Sequence, residues 1–168
     1  MNNVNTQQAV KQVNEPNSFE KGGLFEEYIK MLFNERHFKV KEWRKSEKFA
    51  NGFVPFGHCL PDFELIFMGK REHNFAIECK WKKEFRGGKI KWADEKKIRI
   101  YKEFQREKRM IVFIAIGIGG EPSNPEKLFV TPLDKICMHT EIHESDLMKY
   151  NRKPTRRFFY DTVQLRLF

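Results

Sequence analysis

Asp62, Glu64, Glu78 and Lys80 stand in or beside two hydrophobic runs of "PDFELIFMGKREHNFAIECKW", residues 61–81. Strand side chains alternate between faces. Phe75, Ile77, Cys79 and Trp81 therefore share one face, and Ala76, Glu78 and Lys80 share the other. On the preceding run Asp62, Glu64 and Ile66 lie together. The connecting "GKREH" is short, so pairing of the runs brings Asp62 close to Glu78 or Lys80. Crowded carboxylates raise each other's pKa unless a cation sits between them. A hard divalent ion with oxygen ligands meets that need, and Mg²⁺ is the commonest at phosphate-handling sites. A lysine two residues on faces the same space and can hold a phosphate oxygen or the attacking water as a movable point charge. Two acids, a metal and a lysine can hydrolyse a phosphodiester. The bland alternative is a solvent-facing ladder of cross-strand ion pairs, with Pro61 merely opening a strand.

These runs need neighbours to hold them. Leu24, Phe25, Tyr28, Ile29, Leu32 and Phe33 recur at helical spacing between about Phe19 and Asn34, with Ser18 as the expected N-cap. With Leu24, Tyr28, Ile29 and Leu32 inward, Glu26 falls at the edge of the stripe, and Glu27 remains an alternative to it. "HFKVKEW" alternates as a strand does. Residues 45–61 read as an irregular loop, and strands are expected near 62–68 and 74–81. Gly87-Gly88 breaks the chain, and Asp94 to Lys108 repeats Ile98, Tyr101 and Phe104 or Gln105 as a helix with a narrow apolar stripe. "MIVFIAIGI" is apolar throughout, as suits a central strand buried on both faces. "KLFVTPL" reads as a further strand, Ser145 as the cap of a short helix through Tyr150, and "FFYDTVQLRLF" as a closing strand. The intervening helix gives the crossover that a parallel neighbour requires. The expectation is an α/β fold, a three-layer α/β/α sandwich with a central mixed sheet. Residues 1–18 are expected to be a flexible tail and 19–168 a single domain.

Pro61-Asp62 followed by Glu78-Cys79-Lys80 on the next strand resembles the PD-(D/E)xK nuclease superfamily, the restriction-endonuclease-like fold. The resemblance runs over roughly residues 19–131. "KGGLFEEYIKMLF" is similar to the family's first helix, which in resolvase-like members carries a Glu four residues after a Gly, the spacing of Gly22 and Glu26. The basic helix and the buried strand fall where the family has its second helix and fourth strand. The resemblance implies a metal-dependent nuclease acting on DNA, with Mg²⁺ (or Mn²⁺) held by Asp62, Glu78 and the Cys79 backbone carbonyl. It implies that Lys80 positions or helps deprotonate water, and that Glu26 (or, failing it, Glu27) reaches the site directly or through water. The products would be 5′-phosphate and 3′-hydroxyl ends. The alternatives are a dimeric Holliday-junction resolvase and a non-catalytic nucleic-acid-binding module on the same fold.

The charge distribution favours a polyanionic partner. The 168-residue chain has a net charge of +9, and residues 80–109 hold 13 Lys/Arg against 5 Asp/Glu. Lys82 and Lys83 closely follow Lys80, and Arg99, Lys102, Arg106 and Arg109 fall on one stripe of the helix, as a phosphate-tracking face would. A solvated surface is the bland alternative. There is no spare length for a separate sequence-reading domain, which favours structure-directed cutting or recruitment by a protein partner over stand-alone sequence-specific restriction; a homodimer belongs to the resolvase alternative. No apolar run approaches a membrane span, and the first 18 residues are too polar for a signal peptide. Cys59, Cys79 and Cys137 are far apart and form no CxxC, which fits a reducing cytoplasm. His58 and Cys59 match no zinc spacing. "GIGG" reads as a turn, and Phe158, Phe159 and Tyr160 either stack bases or form a core strand.

Overall fold

Asn17 opens the first helix. Its side chain accepts from the backbone N–H groups of Phe19 and Glu20, and Glu20 reaches back to the Asn17 N–H at 3.0 Å. This capping box starts α1 (Ser18–Met31), so the cap lies one residue before the expected Ser18. The reason is that Asn17, not Ser18, has an acid three residues on. The computed structural model describes residues 16–45 and 59–168. Residues 1–15 of the expected tail therefore lie outside the described residues, as do positions 46–58 of the expected loop, with His58 among them.

After α1 come β1 (Phe38–Trp43), β2 (Phe63–Met68), β3 (Glu72–Lys82), β4 (Lys89–Lys91), α2 (Glu95–Lys108), β5 (Ile111–Ile118) and β6 (Lys127–Pro132). They are followed by β7 (Glu141–His143), α3 (Glu144–Leu147), β8 (Asn151–Arg152), β9 (Tyr160–Asp161) and β10 (Arg166–Leu167). Six strands form one sheet in the order β1-β2-β3-β5-β6-β8. β3 and β5 run parallel, joined through α2, and the other neighbours are antiparallel. The sheet is mixed and covered on both faces, as expected. On one face Phe25, Ile29 and Phe33 pack on Phe63, Phe75, Ile77 and Phe113. On the other, Ile98, Tyr101 and Phe104 of α2 pack on Ala76, Val112, Ile114 and Ile116.

Several local expectations are corrected. Leu24 is 38% exposed, while Phe25 is fully buried. Phe25 reaches β5 at Gly117, where a Cβ would collide with the ring. That contact rotates the inward stripe of α1 and carries Glu26 inside with it, at 2% exposure. Local pattern does not mark β4, because it is short and its partner β7 lies far along the chain. The helix expected from Ser145 begins at Glu144. The closing strand is instead a hairpin of β9 and β10. Asp161 Oδ1 accepts from the N–H groups of Val163 and Gln164 and folds the chain back there. Phe158 and Tyr160 are core residues, while Phe159 is 58% exposed. Among the described residues no helix is long and apolar enough to cross a membrane.

Candidate active site in a notch of the sheet

β2 and β3 pair as far as Phe63 and Ile77, where Pro61, which has no backbone donor, leads into β2. β3 continues to Lys82 along β5, so its other edge loses its neighbour from Glu78 onward. A notch results. Asp62 caps it: its Oδ2 accepts the Cys79 N–H at 2.7 Å, a donor that the ladder no longer uses. In an extended strand a residue's N–H and C=O point to the same side, so the Cys79 carbonyl also faces the notch. The Cys79 side chain packs instead with the α1 face of the core. Burial, reinforced by Asp62, Glu26 and Glu78, holds its thiol well above the ordinary range, which leaves it inert.

Strand alternation sends Glu78 and Lys80 to the α2 face. Glu78 is 1% exposed, which removes the solvent-facing ladder. Lys80 Nζ donates to Glu78 Oε1, and Glu78 Oε2 is buried without a hydrogen-bond partner among the described residues. The Tyr101 hydroxyl, also buried, lies beside the Glu78 carboxylate; burial first, and then the charge and hydrogen bonding of that carboxylate, push it well up. Burial also pushes Asp62 well above the carboxylate range, with Glu78 and Glu26 adding to it and Lys80 and the Cys79 N–H opposing. Burial pulls the other way on Lys80, but Glu78 and Asp62 outweigh it and keep the ammonium charged.

Glu26 enters from the α1 side. Its Oε2 accepts from Trp43 Nε1 at 3.0 Å. Glu27 instead faces solvent and pairs with Lys45 at 2.8 Å. Arg44 fixes the approach to the notch. Its backbone N–H donates to the Asp62 carbonyl at 2.8 Å, and its Nη1 donates to the Pro61 carbonyl at 2.7 Å. Its guanidinium is anchored by Glu42 and Glu64, so Glu64 is committed to the clamp.

Glu26, Asp62, Glu78 and Lys80 line one cavity of about 550 Å³, with Lys82, Lys83 and Lys97 at its wall. A hard divalent cation fits this donor set. It would relieve the crowding of Asp62 against Glu78 and Glu26, and would give the buried Glu78 Oε2 a partner. Among the described residues no three His, Cys, Asp or Glu side chains already form a cage. A cation here would therefore draw on the Cys79 carbonyl and on solvent beside Asp62 and Glu78, as Mg²⁺ sites commonly do.

Arg99, Lys102 and Arg106 line a different and larger groove, of about 1500 Å³, between α2 and residues 134–150. Lys97 is the α2 cation that faces the site. Gln105 accepts from the Val112 N–H and donates to Asp134, so it serves the fold. Sequence pattern alone does not single out Tyr101, Trp43 or Arg44 for the site. Tyr101 reads as one more residue of an apolar stripe, and only its hydroxyl, which must find a partner when buried, hints otherwise.

No family model matches the chain, and no curated protein matches it in sequence. Among solved structures it is similar to Hjc, a Holliday junction resolvase from the archaeal hyperthermophile Archaeoglobus fulgidus. The TM-score is 0.51 at 19% identity, over 73% of this chain and 88% of that one. With the notch, the mixed sheet and the helix on each face, this likeness gives the chain a restriction-endonuclease-like fold.

Proposed function

We propose that the chain is a metal-dependent nuclease that hydrolyses phosphodiester bonds in DNA. The carrying observation is that Asp62, Glu78 and Lys80 meet Glu26 in one basic-walled cavity, where a buried carboxylate oxygen lacks a partner among the described residues. In this reading Asp62, Glu78 and the Cys79 carbonyl would hold Mg²⁺ or Mn²⁺, which when bound would supply Lewis-acid stabilisation of the charge on the phosphodiester oxygens. Lys80 donates a hydrogen bond to the attacking water or to a non-bridging oxygen, and stabilises the charge that forms there. Trp43 holds the Glu26 carboxylate at the wall, where it orients water. Lys82, Lys83 and Lys97 neutralise flanking phosphates at the mouth. As the resemblance to the nuclease superfamily implies, the products would be 5′-phosphate and 3′-hydroxyl ends. The free cysteines among the described residues accord with a reducing cytoplasm as the setting.

The likeness to a Holliday junction resolvase favours a four-way junction among DNA substrates, cut by a homodimer. The test is cleavage of plasmid, linear duplex and four-way junction with Mg²⁺, Mn²⁺ or chelator, by the wild type and by Glu78→Gln. Metal-dependent cutting that Glu78→Gln abolishes is expected. Folded, DNA-binding protein that cuts none of the three substrates would leave only the non-catalytic binding module.

A further inference from the structure

Beyond the catalytic cavity lies a second one, of about 440 Å³, lined by Lys82, Lys83, Arg86, Lys89 and Lys91 with Glu84 and Glu141. Lys82 and Lys83 line both cavities and form their common wall. Among the described residues none of these five cations forms an ion pair. Burial pulls Lys82 below the ordinary lysine range, and Lys80, Arg86 and Lys91 add to the shift. The cations therefore crowd one another, and neither Glu84 nor Glu141 pairs with them.

The support beneath them is rigid. Arg86 and Lys89 exchange backbone hydrogen bonds of 2.9 and 3.1 Å across Gly87-Gly88. Both glycines have positive φ, +57° and +72°, as the tightest hairpin turn requires. The Glu144 N–H donates to the Gly88 carbonyl at 2.9 Å and ties the turn to α3. Ile90 is 4% exposed and pins β4 into the core, so strand alternation sends Lys89 and Lys91 outward together. Trp92 Nε1 donates to the His139 carbonyl at 2.7 Å and fixes the far end. A cationic surface held in this way loses little freedom on binding.

We propose that β4 and its turn form a second phosphate-binding subsite, continuous with the catalytic cavity, that grips the sugar-phosphate backbone of DNA beside the bond to be cut. The choice of occupant rests on the nuclease reading. Cations without ion-pair partners on a hydrogen-bonded ridge suit phosphates, and Lys82 and Lys83 join that ridge to the cavity that holds Lys80.

The test uses the full chain carrying Arg86→Ala, Lys89→Ala and Lys91→Ala together, all exposed positions. Binding to labelled duplex DNA is titrated with chelator present, from about 50 to 200 mM salt. Affinity at the low-salt end should fall about 10- to 100-fold, and the slope of log K against log salt should shrink by about 2 to 3. The control combines Lys70→Ala with Arg71→Ala, two exposed cations in the turn at the opposite end of β3, where the slope should hold. With metal and subsaturating DNA, cleavage by the ridge variant should fall in step with its lost affinity. An unchanged slope, or an equal loss in the control pair, overturns the subsite. So does an acidic polypeptide that displaces DNA at equal charge through the same three side chains. If wild type never cuts DNA but the ridge-dependent slope is present, the nuclease reading fails and the subsite stands.

Discussion

Lys80 is the side chain whose chemical and structural parts separate most cleanly. Its ammonium is held charged by Glu78 and Asp62 against burial. Lys80→Ala should lower single-turnover cleavage by roughly 10²- to 10⁴-fold while leaving DNA binding in place. The variant also leaves Glu78 without its counterion, so the metal-free protein should melt lower, and Mg²⁺ should recover part of the loss. Wild-type-like cutting by the folded variant would reject the role given to Lys80. Asp62 behaves in the opposite way. Its folded pKa lies above the unfolded value, so its charge opposes folding at neutral pH. That penalty is fully present above the folded pKa, and is gone below the unfolded one, about 4, where the group is protonated in both states. Asp62→Asn keeps an acceptor for the Cys79 N–H. The metal-free variant should therefore melt higher than wild type at about pH 7 to 8, with the difference shrinking on acidification. Thermal melts across pH, with chelator present, measure this.

At the scale of elements, the site depends on where β2 stops and on how closely α1 approaches the sheet. Phe25 lies over Gly117, and the stripe that it anchors turns Glu26 into the cavity. Gly117→Ala should destabilise the fold by about 1–3 kcal/mol through overpacking. Adding Phe25→Leu should recover part of that loss, a coupling that denaturant melts of the double-mutant cycle would show. An additive result would mean that the helix moves aside freely. At the other end of α1, Asn17→Ala should lower stability by about 1 kcal/mol through loss of the capping box.

Among the described residues, cations line both the cavity wall with its β4 ridge and the groove along α2. Replacing Arg99, Lys102 and Arg106 together by Ala should weaken DNA binding and flatten its salt dependence, with Mg²⁺ binding nearly unchanged. Calorimetry for the metal and salt titration for the DNA separate the two effects. Binding that is unaltered at low salt would make that groove ordinary solvated surface.

Much of this arrangement is written in local pattern. Period-two alternation puts Glu78 and Lys80 on one face, the apolar run 110–118 marks a central strand, and an intervening helix makes it parallel to β3. These are short-range consequences of backbone geometry, and so is the nearness of Asp62 to Glu78. Contacts between residues far apart in the chain decided the rest. Periodicity left Glu26 and Glu27 equivalent, and the packing of Phe25 on Gly117 separates them. Tyr101 became a neighbour of Glu78 only when α2 crossed the sheet face toward which strand alternation points that carboxylate. β4 exists only because β7, far along the chain, supplies its hydrogen bonds. So short a strand has too little pattern of its own to announce itself, and its partner is chosen by the fold as a whole.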